Sequence, residues 1–306
     1  MANRMQLKST ANVETSTIGF NRAKSLTAYY FLARSDKMTE QNSLAQYRYL
    51  ITDMDGVLWR GREPMPGLID FFKFLRQHNM HFVCATNNAS TPPEKLAERL
   101  QDWGADVQAD EIVTSAIATA DYLETILPRG ARLYVIGMEG LRVALERRGF
   151  VLAEDHVAAV VVGIDWNVTY NHFKRAALNI RAGAKFFGTN GDRTFPNPEG
   201  IVPGNGALLA LIETATDVKP FVIGKPSPTL YQMALKRLGA VEAQTLVLGD
   251  RMETDILGAV LLGLKSALVL SGVTTREQLA ASDYQPDWVF DDITALKNQW
   301  EMDRRG

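Results

Sequence analysis

Asp53 and Asp55 directly follow the run Tyr49-Leu50-Ile51-Thr52, and Gly56 comes straight after them. A short apolar run closed by a turn signal reads as a buried strand of a parallel sheet. Ligands of open α/β sheets collect at the carboxyl ends of such strands. Two carboxylates held there repel each other, and both are costly to desolvate unless a cation joins them. The pair therefore suits a hard divalent metal, magnesium first, together with an anion that the metal brings. Taken alone, Asp-x-Asp-Gly is as readily a solvated turn.

Three later segments have the same form. Thr86-Asn87-Asn88 ends the run at 81–85, and Lys225 lies in Gly224-Lys225-Pro226-Ser227-Pro228 after the run at 221–223. Asp250 and Asp255 follow the run at 245–248. Singly, Lys225 reads as a surface lysine, Thr86 as a helix cap, and Asp250 and Asp255 as acids near a helix start. Parallel strands would gather all four ends at one sheet edge. That edge would offer several carboxylates, one fixed cation, a hydroxyl and loop amides, a set suited to a phosphate group with magnesium.

Between these segments the chain alternates strand and helix from residue 47 onward. Helical spacing covers 68–78, with Leu68, Phe71, Phe72 and Leu75 on one face. Thr91-Pro92-Pro93-Glu94 opens the next helix, with Thr91 as N-cap. A further unit begins at 111–115, with a helix to about residue 127. Residues 131–190 alternate independently, enough for a small α/β domain inserted into the larger one. The stretch 191–205, broken by Pro196, Pro198, Gly200 and Pro203, reads as a loop. A helix follows at 206–216. Further strands are expected at 221–223, 265–270 and 288–290. Gly204-Asn205-Gly206 imitates a dinucleotide loop, but Leu209 stands where the third glycine belongs. The expected fold is a doubly wound, mainly parallel Rossmann-like α/β core, residues 46–127 and 200–306, with an α/β cap at 128–199. Residues 1–45 read as a disordered extension with a short helix at 23–34. The apolar segment at 25–33 is too short and too polar for a signal peptide, and Met38 is an alternative start.

Bulk properties narrow the partners. Of 306 residues, 46% are hydrophobic and 22% charged, with a formal net charge of −2. These values fit a soluble globular protein and give no reason to expect nucleic acid or membrane partners. Cys84 is the single cysteine, which excludes an intrachain disulfide and fits a reducing, cytoplasmic setting. Four scattered histidines lack zinc-ligand spacing.

The segments at 53–57, 86–88, 224–228 and 249–256 resemble the four motifs of the haloacid dehalogenase superfamily. The second to fourth of them are similar in wording to its NagD and 4-nitrophenylphosphatase-like branch, in which a cap is inserted between the second and third motifs. The resemblance covers about residues 47–300. It implies a phosphatase that acts on small phosphorylated metabolites with magnesium. In that pattern Asp53 would be the nucleophile and Asp55 the acid and base. Asp53, Asp250 and the carbonyl of Asp55 would bind the metal, with Asp255 in support. Thr86, Asn87, Asn88 and Gly56 would hold the phosphoryl oxygens, and Lys225 would offset their charge. The loop 191–196 would contact substrate. Self-association through the cap is also expected by resemblance. The alternatives are a dehalogenase, which has no need of an acid at Asp55, and a non-catalytic phospho-ligand binder, which has no need of a nucleophile.

Overall fold

The structure is a computed structural model that describes residues 43–197 and 199–306. Most of the predicted extension, with its helix at 23–34, its apolar segment and Met38, lies outside the described residues. Residues 43–45 are packed. Leu44 is fully buried, and its N–H donates to Asp303 Oδ2 at 2.6 Å. Burying a leucine side chain contributes about 1.5–3 kcal/mol, so the folded core begins before residue 46.

The larger sheet has six parallel strands. From edge to edge they are Trp288–Phe290, Lys265–Val269, Thr245–Gly249, Tyr49–Thr52, His81–Thr86 and Ile112–Thr114. Tyr49–Thr52 is central because its side chains are apolar on both faces, as a covered parallel strand requires. Leu50 packs with Phe82, Leu246 and the helices Leu68–Gln77 and Ile293–Arg305, whereas Ile51 packs on the opposite face with Val83, Val247 and the helix Pro228–Leu238. Alternate residues thus serve two layers, which makes the sheet doubly wound. From Tyr49–Thr52 the chain moves to one side of the sheet and later returns to the other. The carboxyl end of this strand is therefore the switch point where α/β proteins bind ligands.

The cap is a second parallel sheet with the order Phe221–Val222, Lys185–Gly188, Ala159–Val162, Arg132–Ile136 and Val151–Leu152. Its outer face packs on the helices Tyr170–Arg181 and Asn205–Thr216 through residues such as Val160, Ile180 and Ile212. Its inner face, with Val135, Val161 and Phe187, joins the hydrophobic cluster of the larger sheet. Cap elements run to Val222, past residue 199, where the sequence had placed the boundary. The stretch 191–205 also differs from the expected loop. Thr194–Asn197 and Gly200–Pro203 form an antiparallel pair. Proline is tolerated there because the pair stands apart from any larger sheet. No helix among the described residues is long and apolar enough to cross a membrane.

Candidate active site

Asp53 is the first residue beyond the central strand, and its N–H donates to Leu248 O at 2.8 Å. Lys225 Nζ donates to Asp53 Oδ1 at 2.6 Å, Asp255 Oδ1 at 2.7 Å and Ala85 O at 3.0 Å. These acceptors use all the donors an ammonium has. The Lys225 side chain is only 4% exposed. Burial works against its charge, but Asp255 and Asp53 outweigh burial and hold its pKa well above the usual lysine range. Burial pushes the Asp53 carboxyl up. Lys225 pulls it back, and Asp255, Asp250 and Asp55 add to the rise.

Lys225 does not come from a strand of the larger sheet, contrary to the expectation from sequence. Phe221–Val222 pairs with Lys185–Gly188 in the cap, and Phe221 is 45% exposed. Two residues are too few to decide a sheet by apolarity alone. The loop that follows is instead fastened by Asn87. Lys225 N–H donates to Asn87 Oδ1 at 2.8 Å, and Asn87 Nδ2 donates to Lys225 O at 3.1 Å.

Asp250 follows the strand Thr245–Gly249 and is 2% exposed. Its Oδ2 accepts from Val273 N–H at 2.7 Å. Gly56 (φ +82°) and Gly272 approach it so closely that a Cβ on either would strike its carboxylate. Burial and then Asp255 push the Asp250 carboxyl up to about 6. Asp255 lies in a wide π-type turn, Met252–Ile256, of the kind that often marks functional sites. Its Oδ2 accepts from Arg251 N–H at 3.1 Å, and Tyr231 donates its hydroxyl to Asp255 O at 3.2 Å.

Carboxylate oxygens of Asp53, Asp250 and Asp255 lie within 4.8 Å of one another. This donor set consists entirely of oxygen, so it suits a hard cation. Three acids also face one lysine, a charge excess that a divalent ion would relieve, and burial together with their mutual repulsion raises the carboxyls of Asp53 and Asp250. The residues fit a divalent metal. Asp255 belongs to this acidic group, although one of its oxygens is spent on Lys225.

The remaining predicted residues surround this group. Asp55 is exposed, and its Oδ1 accepts from Trp59 Nε1–H at 2.7 Å. Thr86 is buried. Its Oγ1 accepts from Asn88 N–H at 3.1 Å, which leaves the hydroxyl hydrogen to donate. Asn88 turns its side chain away from the strand end, where Oδ1 accepts from Ser90 N–H at 2.8 Å and Thr91 N–H at 3.1 Å. Gly56 N–H is already given to Trp59 O at 2.7 Å. These two residues therefore shape the loops and offer the phosphate less than the sequence suggested. The Thr91 cap is also corrected. The N-cap position falls on Pro92, which has no side-chain acceptor, and Asn88 satisfies the approaching backbone instead.

The cap reaches the site through Asp192. Asn87 Nδ2 donates to Asp192 Oδ1 and Oδ2, both at 3.2 Å. Asn190 Nδ2 donates to Asn87 O at 2.9 Å, and Asn205 Nδ2 holds Asn190 O at 2.8 Å. Burial raises the Asp192 carboxyl, and the Asn87 hydrogen bond with the charge of Arg251 partly offsets that. The loop 191–196 was legible as a candidate, but its acid was not singled out. Trp59 was missed altogether, although an indole four residues after Asp55 was visible.

Known proteins resemble this chain over most of its length. A haloacid dehalogenase-like hydrolase family model matches residues 50–151, and a HAD-hydrolase-like model matches 222–296. An acid sugar phosphatase of Staphylococcus saprophyticus is 36% identical over 259 residues, covering 84% of this chain and all of that one. A 4-nitrophenylphosphatase from Thermotoga maritima superposes with a TM-score of 0.80 at 33% identity, over 83% of this chain and 98% of that one. A glycerol phosphate phosphatase from Mycobacterium tuberculosis, solved with magnesium, superposes at 0.78 with 34% identity, over 84% and 78%. The chain belongs to the haloacid dehalogenase-like hydrolases, among the 4-nitrophenylphosphatase-like phosphoric monoester hydrolases.

Proposed function

We propose that the protein is a magnesium-dependent phosphatase that hydrolyses small phosphomonoesters through an aspartyl-phosphate on Asp53. The observation that carries this reading is the Lys225 ammonium held between Asp53 and Asp255, with Asp250 completing the acidic group. Asp53, Asp250 and the carbonyl of Asp55 would hold magnesium, which would supply positive charge for the carboxylates and for a phosphoryl group. Asp53 attacks phosphorus as the bond from phosphorus to the leaving oxygen breaks, and Asp55 gives that oxygen a proton. A water then attacks phosphorus, Asp55 takes its proton, and Asp53 is released with inorganic phosphate. Lys225 balances charge on Asp53 and on the phosphoryl oxygens throughout, and Thr86 donates its hydroxyl to one of them.

The elements at 131–222 form the cap in this reading. Asp192, beside Asn87, is its candidate contact with the leaving group. The curated relative is an acid sugar phosphatase and a solved neighbour a glycerol phosphate phosphatase, which favours a polyol or sugar phosphate as substrate. The reading is tested by 4-nitrophenyl phosphate hydrolysis with magnesium, with EDTA and Asp53→Asn as controls. Turnover lost in both controls is expected. Pure folded protein no faster than the variant would overturn the reading.

A further inference from the structure

Asp55 is exposed, whereas the group that grips it is not. Trp59 is 2% exposed, and its Nε1–H reaches Asp55 Oδ1 at 2.7 Å. The turn between them is closed by Gly56 N–H on Trp59 O at 2.7 Å, and the two residues form a parallel bridge. The indole is fixed from its other side as well. The Arg99 guanidinium lies 4.7 Å above the Trp59 ring and 4.7 Å above Trp103, and the two indoles meet edge to face at 5.8 Å. Arg99 also donates to Gly61 O, so the stack is tied to the backbone two residues beyond Trp59.

An indole N–H can only donate, and it does not titrate. The oxygen it holds must act as acceptor whether the carboxyl is charged or neutral. A free carboxyl on an exposed loop would turn and present either oxygen. Here the oxygen held by the indole is the poorer proton carrier, and Oδ2 is the one better placed to exchange a proton. Resting on the phosphatase reading above, we propose that Trp59, backed by Arg99, is a positioning residue. It locks Asp55 Oδ1 so that Oδ2 alone carries the proton given to the leaving oxygen and later taken from water. The step balances. The proton leaves Oδ2 as the bond from phosphorus to the leaving oxygen breaks and the bond from Asp53 to phosphorus forms. It returns when water attacks phosphorus.

The readout is the dependence on the leaving group. A simple alkyl phosphate needs a proton on its leaving oxygen, whereas 4-nitrophenolate departs without one. Trp59→Phe keeps a ring under Arg99 and removes the N–H. Its kcat/KM for the alkyl phosphate is expected to fall at least ten-fold further than its kcat/KM for 4-nitrophenyl phosphate. Equal losses on the two substrates, or no loss on either, would overturn the proposal. Wild-type hydrolysis of 4-nitrophenyl phosphate tests the phosphatase reading separately, so the two failures are distinguishable. A second measurement leaves Trp59 in place. The chain has five tryptophans, and Asp55→Asn should shift the indole proton resonance of Trp59 further than any other. A Trp59 resonance that does not move would equally overturn the proposal.

Discussion

Asn87 and Asp192, 105 residues apart, are joined by paired hydrogen bonds from one amide nitrogen to both carboxylate oxygens. The same Asn87 side chain holds both the N–H and the carbonyl of Lys225. One residue at a strand end therefore fixes the cap loop and the Lys225 loop together. Asn87→Ala would leave the Lys225 N–H and the Asp192 carboxylate without this partner, and each lost polar partner costs about 1–3 kcal/mol. The expected result is a lower melting temperature together with a kcat loss of about ten-fold or more, because Lys225 is no longer aimed. A variant that loses stability but keeps kcat would show that Asn87 does not position Lys225.

Removing Lys225 exposes the cost of the acidic group. Breaking a buried ion pair by deleting one partner typically costs about 3–5 kcal/mol. Lys225→Met should destabilise the protein by about that much in EDTA, as read by urea unfolding. Magnesium should restore part of the loss. Turnover should drop by about 10²–10³, the range seen when a preorganised charge-stabilising donor is removed. Stability unaltered in EDTA would mean the lysine does not offset the buried carboxylates.

Gly272 and Gly56 make room for Asp250. Gly272→Ala would push that carboxylate from its position on Val273 N–H, and Gly56→Ala would add strain at a positive φ. Magnesium titration followed by calorimetry should show affinity weakened at least ten-fold for Gly272→Ala. Undiminished affinity would remove Asp250 from the metal set.

The pH dependence of the metal-free protein follows from Asp250. Its carboxyl is pushed up to about 6, so the folded protein keeps a proton that the unfolded chain releases near pH 4. Its contribution to stability is therefore full below about pH 4 and is lost as pH rises toward about 6. The difference is on the order of 3 kcal/mol at neutral pH. In EDTA, Asp250→Asn should be more stable than wild type at pH 7, and the gain should shrink at pH 5. Magnesium should reverse the order at pH 7. An equal effect of the substitution at both pH values would contradict this linkage.

Much of the site was legible in the sequence because short apolar runs ending in Asp, Thr or Gly are what parallel strands under a phosphate site look like. Asp53, Thr86 and Asp250 stand at three adjacent strand ends of one sheet, as their spacing implied. What escaped was set by tertiary pairing. The run before Lys225 is too short to reveal that its partner is Lys185–Gly188. The prolines of the 194–203 hairpin hide a pair with no larger sheet to join. The closing helix Ile293–Arg305 has Ile293, Leu296 and Trp300 at helical spacing and was still passed over. Trp59 was not singled out, since nothing in its spacing says that its N–H faces Asp55.

The most direct test of the central claim traps the covalent intermediate. In Asp55→Asn, 4-nitrophenolate can still leave without a proton, whereas the water that resolves the intermediate has no base to take its proton. Rapid mixing with magnesium and 4-nitrophenyl phosphate should release a burst of about one nitrophenolate per site, then slow steeply. Acid quenching and peptide mass mapping should place the phosphoryl group on Asp53. Absence of a burst, or a phosphoryl group on another residue, in folded variant whose wild-type parent turns over would contradict nucleophilic attack by Asp53.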